Sequence, residues 1–93
     1  MSVHIRAAIP GDAPVIHRFI RELAAYERAP DAVEATPESL RAQMELERPP
    51  FECLIGEWRG EPAGFALYFH NYSTWKGRHG LYLEDLYVSP AFR

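Results

Sequence analysis

Apolar positions recur along this chain with two periods, and the places where the period changes divide it into elements. "VHIRAAI" (3–9) alternates as a short strand does and ends at the turn signal Pro10-Gly11. The spacing then lengthens. "APVIHRFIRELAAYER" sets Val15, Ile16, Phe19, Ile20, Leu23 and Ala24 on one helical stripe, with Asp12 placed to cap it and Pro14 in its first turn. Thr36-Pro37-Glu38 opens a second, shorter helix with a cap, a proline and an acid near its positive end; Leu40, Met44 and Leu46 are its apolar positions, and Pro49-Pro50 ends it. Beyond the prolines the period returns to two. "FECLIGEW" (51–58) and "AGFALYFHNY" (63–72) flank "RGEP", a tight hairpin connection. The basic loop "STWKGRHG" leads to a last strand, "LYLEDLYV" (81–88). The predicted order is β-α-α-β-β-β in a mixed α/β domain with a mainly antiparallel sheet.

The last strand carries adjacent carboxylates, Glu84 and Asp85. Strict alternation sets Leu81, Leu83, Asp85 and Tyr87 on one face and Tyr82, Glu84, Leu86 and Val88 on the other, so one acid points to each side. An edge strand would carry hydrated charges to block aggregation. The apolar density on both faces instead suits an interior strand, where a charge is costly unless paired or hydrated.

Composition narrows the choices. Ninety-three residues, 47% hydrophobic and 25% charged, suit one small soluble domain. A net charge of −3 leaves no basic face to neutralise phosphates, which argues against a nucleic-acid partner. Cys53 stands alone, so no intramolecular disulfide forms and a reducing cytoplasm is the expected location; its apolar surroundings predict an inert thiol. No long apolar run marks a membrane span or signal peptide, and His4, His17, His70 and His79 lack metal-ligand spacing.

"RELAAYE", "FHNYSTWKG" and "LYLEDLYVSPAFR" together resemble the Gcn5-related N-acetyltransferase (GNAT) superfamily, within it most nearly the diamine acetyltransferases of the spermidine/spermine type. The opening "IRAAIPGDAPVIHRFIRELAAYE" is similar to that family's first strand and helix. The resemblance implies acetyl transfer from acetyl-CoA to a primary amine of a small amine or polyamine by direct attack, without a metal. It also implies that residues 1–93 form the N-terminal part of one such domain. Arg93 matches the first residue of an Arg/Gln-x-x-Gly-x-Gly/Ala pyrophosphate loop whose glycines would lie further on, with the remaining strands and the tyrosine that protonates the thiolate. The isolated chain is accordingly expected to bind acetyl-CoA poorly and to turn over no amine.

Residue by residue, the resemblance makes Glu84 the amine ligand and catalytic proton relay, with Asp85 supporting it or paired with an arginine. Tyr26 and Glu27 match positions that contact the polyamine, and Trp75, with Tyr72, would pack along an aliphatic amine. The main chain of Leu86, Tyr87 and Val88 would line the acetyl and pantetheine arm, and Arg93 would bind the cofactor. Ser73 departs from the aspartate usual in the polyamine enzymes, which makes a shorter diamine or lysine-like amine as suitable as spermidine. A homodimer is expected. The competing reading is a non-catalytic domain used in self-association or protein binding, since an open sheet edge invites pairing.

Overall fold

Residues 3–93 are described by the computed structural model. They fold into a four-stranded, wholly antiparallel sheet in chain order, β1 (His4–Ala7), β2 (Glu52–Trp58), β3 (Glu61–Ser73) and β4 (Arg78–Val88). Two helices, α1 (Ala13–Tyr26) and α2 (Pro37–Met44), connect β1 to β2 and cover one sheet face. The predicted element order is the one found. The strands are longer than expected at the β3–β4 hairpin, where Arg78, His79 and Gly80 of the expected loop pair with Ser73, Tyr72 and Asn71.

The core lies between that face and the helices. Ile16, Phe19 and Ile55 are its largest fully buried side chains, joined by Cys53, Phe65, Leu67, Leu40 and Tyr87. Phe19 stacks on Phe65 with ring centroids 5.7 Å apart and meets Tyr87 at 5.9 Å. These aromatic contacts dock α1 onto β3 and β4. Leu46, expected on the apolar stripe of α2, falls past its end and is exposed.

Local chemistry sets the element ends. Thr36 Oγ1 accepts from the Ser39 amide while Ser39 Oγ accepts from the Thr36 amide, so α2 starts as predicted with a reciprocal cap. Asp12 does not cap α1. Its carboxylate instead accepts from the Ile9 amide and from both Arg6 terminal nitrogens, each at 2.8 Å. The β2–β3 turn has left-handed φ at both Arg59 (53°) and Gly60 (79°), the geometry that matches strand twist in two-residue hairpins.

Irregular pairing changes the faces of β4. Leu67 opposes Asp85 but Tyr68 opposes Leu83, so Glu84 is an extra residue without a partner on β3. This bulge overturns the strict alternation expected from the sequence. Directly opposed residues share a face, so Asp85, Tyr87 and Tyr82 lie over Leu67, Phe65 and Phe69 on the helix side. Leu81, Leu83, Leu86 and Val88 share the other face, where all four are exposed. Among the described residues β4 stands at the end of the sheet order, paired with β3 alone.

Candidate active site

The C-terminal end of α1 and the bulge of β4 bring three acids together. Glu27 is placed by how the helix stops. Arg28 adopts a left-handed φ of 61°, its amide donates to Ala25 O at 3.0 Å, and the Ala29 amide reaches back to Ala24 O at 2.8 Å. This double closure ends the helix sharply with Glu27 at its cap. The helix dipole disfavours an anion at that end. Glu84 occupies the bulge and is exposed; Asp85, next to it, is half-buried on the helix side.

Electrostatics separate the two neighbours. Burial first, then the charges of Glu84 and Glu27, push the Asp85 carboxyl above the usual aspartate range. Among the described residues, none of the three acids takes part in an ion pair. Such a cluster is relieved by a cation, and a carboxylate held above its ordinary pKa is also a stronger base. Of the two adjacent acids, Asp85 is the half-buried one, and Glu84 is exposed.

The other residues expected at a site divide into near and far. Arg93 lies beside the cluster's aromatic wall, its guanidinium 5.6 Å above the Tyr26 ring and 5.7 Å from that of Tyr87. Its Nε donates to Val88 O at 2.8 Å. Trp75 is not brought to the acids. It is 98% exposed in the turn joining β3 to β4, and the strand from Arg78 to Glu84 spans about 20 Å at 3.3 Å per residue. Tyr72 lies on that distal arm as well, and is exposed. Leu86 and Val88 show their side chains on the uncovered face, while Tyr87 is buried beneath α1.

Two features escaped the sequence reading. The Tyr87 hydroxyl donates to Glu22 Oε1 at 2.8 Å, linking β4 to α1. Glu22 stands four residues before Tyr26 and so shares its side of the helix, which is the one signal in the sequence that could have marked it as a neighbour of the site. The second feature is a groove of about 250 Å³ on the uncovered face, walled by Val3, Ile5, Trp58 and Val88 with Gly56 and Gly64 in its floor. Cys53 agrees with expectation: it is buried, and burial pushes its thiol up to about 12, far from any nucleophile. Among the described residues no group of acids, histidines and cysteine is arranged to hold a metal, and no helix is long and apolar enough to cross a membrane.

Among the described residues the outer edge of β4 is unpaired. With β3 on one side only, half of its main-chain N–H and C=O groups face outward.

Comparison with known proteins gives these features a setting. Residues 16–93 match the family model described as the acetyltransferase (GNAT) family. The chain is 48% identical over 99 residues to a thialysine N-epsilon-acetyltransferase of Bos taurus, covering 98% of this chain and 58% of that protein. It is 42% identical over 96 residues to spermidine/spermine N(1)-acetyltransferase-like protein 1 of Homo sapiens, covering 96% of this chain and 14% of the relative. The chain thus spans little more than half the length of the thialysine acetyltransferase. Among solved structures, the ribosomal-protein-alanine N-acetyltransferase from Brucella melitensis superposes with a TM-score of 0.73 at 16% identity, covering all of this chain and 61% of that one. An aminoglycoside acetyltransferase from an uncultured soil metagenomic sample gives 0.72 at 18%, with 100% and 62% covered. At such identities these two establish the fold alone.

Proposed function

The chain belongs to the GNAT acetyltransferase family, and from that premise we propose that it carries the amine-receiving part of an enzyme that moves an acetyl group from acetyl-CoA to a small primary amine. One observation carries the proposal: Glu27, Glu84 and Asp85 form an acidic cluster that no ion pair of the described residues compensates. An ammonium group supplies the missing charge.

Each residue has a task in this reading. Glu84, exposed at the bulge, and Glu27 attract and orient the ammonium. With a pKa near 10, only about one amine in a thousand is neutral at pH 7. Asp85, held above its ordinary range, takes the proton directly or through water. The freed nitrogen lone pair then attacks the thioester carbonyl carbon; the C–N bond forms, the C–S bond breaks, and the departing thiolate takes up the second proton that the nitrogen sheds as it becomes an amide. Bound acetyl-CoA would supply the activated acyl carbon. The outward main chain of Leu86, Tyr87 and Val88 would hold its amide arm, and Arg93 would lie near its phosphates after exchanging its contact with Val88 O.

The names of the relatives favour an amine on a short aliphatic stem, lysine-like or a small diamine. The gene product containing this chain, given acetyl-CoA and a panel of primary amines, is expected to acetylate such amines. Glu84→Gln should impair amine use far more than acetyl-CoA binding, and equal losses in both would mean that Glu84 is structural. Absence of transfer to every amine in the panel would overturn the reading.

The uncovered apolar face favours a second reading, association with a further chain. Two copies would pack through Ile5, Leu86 and Val88. Sedimentation of the 93-residue chain tests this, with a monomer at high concentration counting against it.

A further inference from the structure

The three acids belong to two elements, and their mutual repulsion drives those elements apart. Glu27 ends α1, while Glu84 and Asp85 lie on β4, and the negative end of the α1 dipole adds to the strain on that arrangement. A tether must oppose it. The Tyr87 hydroxyl, two residues past Asp85 on the same face, donates to Glu22 Oε1 at 2.8 Å, and Glu22 precedes Glu27 by about one and a half helical turns. Both partners are held in place. The Tyr87 ring is buried against Phe19 at 5.9 Å, and Arg18 Nε lies 3.5 Å from the other oxygen of Glu22.

We infer that Glu22 and Tyr87 are positioning residues: their hydrogen bond latches the end of α1 to the bulge of β4 and sets how closely Glu27 approaches Asp85. The consequence for an amine rests on the acetyltransferase reading above. The latch itself does not, because it concerns the distance between two elements of the free protein. Phe19 holds the middle of α1 to the sheet; Glu22 fixes its C-terminal rotation. Without the latch, the helix end can swing away and relieve the repulsion.

The experiment uses the carboxyl carbon of Asp85 in the labelled 93-residue chain, titrated by NMR with no ligand present. The groups whose charge acts on it are Glu84 on its own strand and Glu27 on α1. Tyr87→Phe keeps the ring and loses the hydrogen bond, so the Asp85 midpoint is expected to fall toward that of an ordinary aspartate. Glu22→Ala, at a half-buried helix position, should give the same fall and serves if Tyr87→Phe fails to fold. Glu22→Gln retains an acceptor for the hydroxyl and is expected to keep the unaltered midpoint. In a Glu27→Gln background, breaking the latch should lower the Asp85 midpoint by less, because the burial of Asp85 still changes but the charge of Glu27 no longer contributes. An undisplaced midpoint in Glu22→Ala, Gln behaving as Ala does, or an equal fall in the Glu27→Gln background would each overturn the latch. No amine enters this experiment, so its failure leaves the amine site standing. Conversely, an amine that does not disturb Asp85 in the unaltered chain would sink the amine site and leave the latch.

Discussion

The two ends of α1, about 21 Å apart along a 14-residue helix, lie beside aspartates with opposite fates, Asp12, which is buried, and Asp85 of β4, which is half-buried. At the N-terminal end Asp12 receives two hydrogen bonds from Arg6 and one from the Ile9 amide, and the Arg6 guanidinium holds its carboxyl below the usual range. Arg6 also reaches Glu57 at 3.3 Å, so a strand, a turn and the next strand are tied together. At the C-terminal end Asp85 meets only burial and like charge, and its carboxyl is raised. The first arrangement compensates its charge within the fold. The second leaves the charge for something else to compensate, and local conflict of that kind is what a binding site looks like before its ligand arrives.

The largest effect comes from removing what both ends share. Phe19→Ala deletes a fully buried ring stacked on Phe65 and is expected to cost about 3–5 kcal/mol, measured by chemical denaturation. Survival of both aspartate shifts in that variant would show that the ends do not depend on α1. Next, Asp12→Ala should cost about 2 kcal/mol at neutral pH, the worth of hydrogen bonds to a charged partner. Because the folded pKa of Asp12 is depressed, its contribution is present above the unfolded value and is lost as pH falls through the folded one. The variant and the unaltered protein should therefore converge in strong acid. Gly64→Ala should act on the other end alone. A Cβ there would run into the Tyr87 carbonyl, at a cost of about 1–3 kcal/mol, disturbing Asp85 and sparing the Arg6–Asp12 pair.

Asp85→Asn inverts the sign. The folded pKa of Asp85 is raised, so its relative contribution is fully present below the unfolded value and declines as pH rises through the folded one. The neutral amide is thus expected to stabilise the protein at pH 7, by less than about 1 kcal/mol because solvent screens the site, and to add nothing below about pH 3.9. Thermal melts at the two pH values check it; a loss of stability at pH 7 would place Asp85 with Asp12. Smallest of all, Glu84→Gln should alter stability by no more than about 0.5 kcal/mol, as expected for an exposed side chain.

Much of this was legible in the sequence. The period of the apolar residues gave the order of elements, Thr36 and Pro37 marked the start of α2, and the Arg59-Gly60 pair marked the first hairpin. The family resemblance to "LYLEDLYVSPAFR" pointed to the strand on which two of the acids lie. What stayed hidden were contacts between distant residues and a single irregularity. No residue type announces the bulge at Glu84, yet one extra residue exchanges the faces of Leu81, Tyr82 and Leu83 relative to Asp85 and Tyr87. Asp12 read as a cap because Arg6 becomes its partner only when β1 folds back beside it. Glu22 drew no reading because its partner, Tyr87, lies 65 positions away.

The most direct measurement follows the Asp85 carboxyl of the 93-residue chain by NMR through a pH titration, with and without a saturating short aliphatic diamine. An ammonium beside the acids favours the charged carboxylate, so the midpoint should fall in the presence of diamine, with Glu27 and Glu84 responding at the same time. A midpoint that stays where it was, with diamine-induced changes confined to other surface acids, would contradict the assignment of this end of α1 as the amine site.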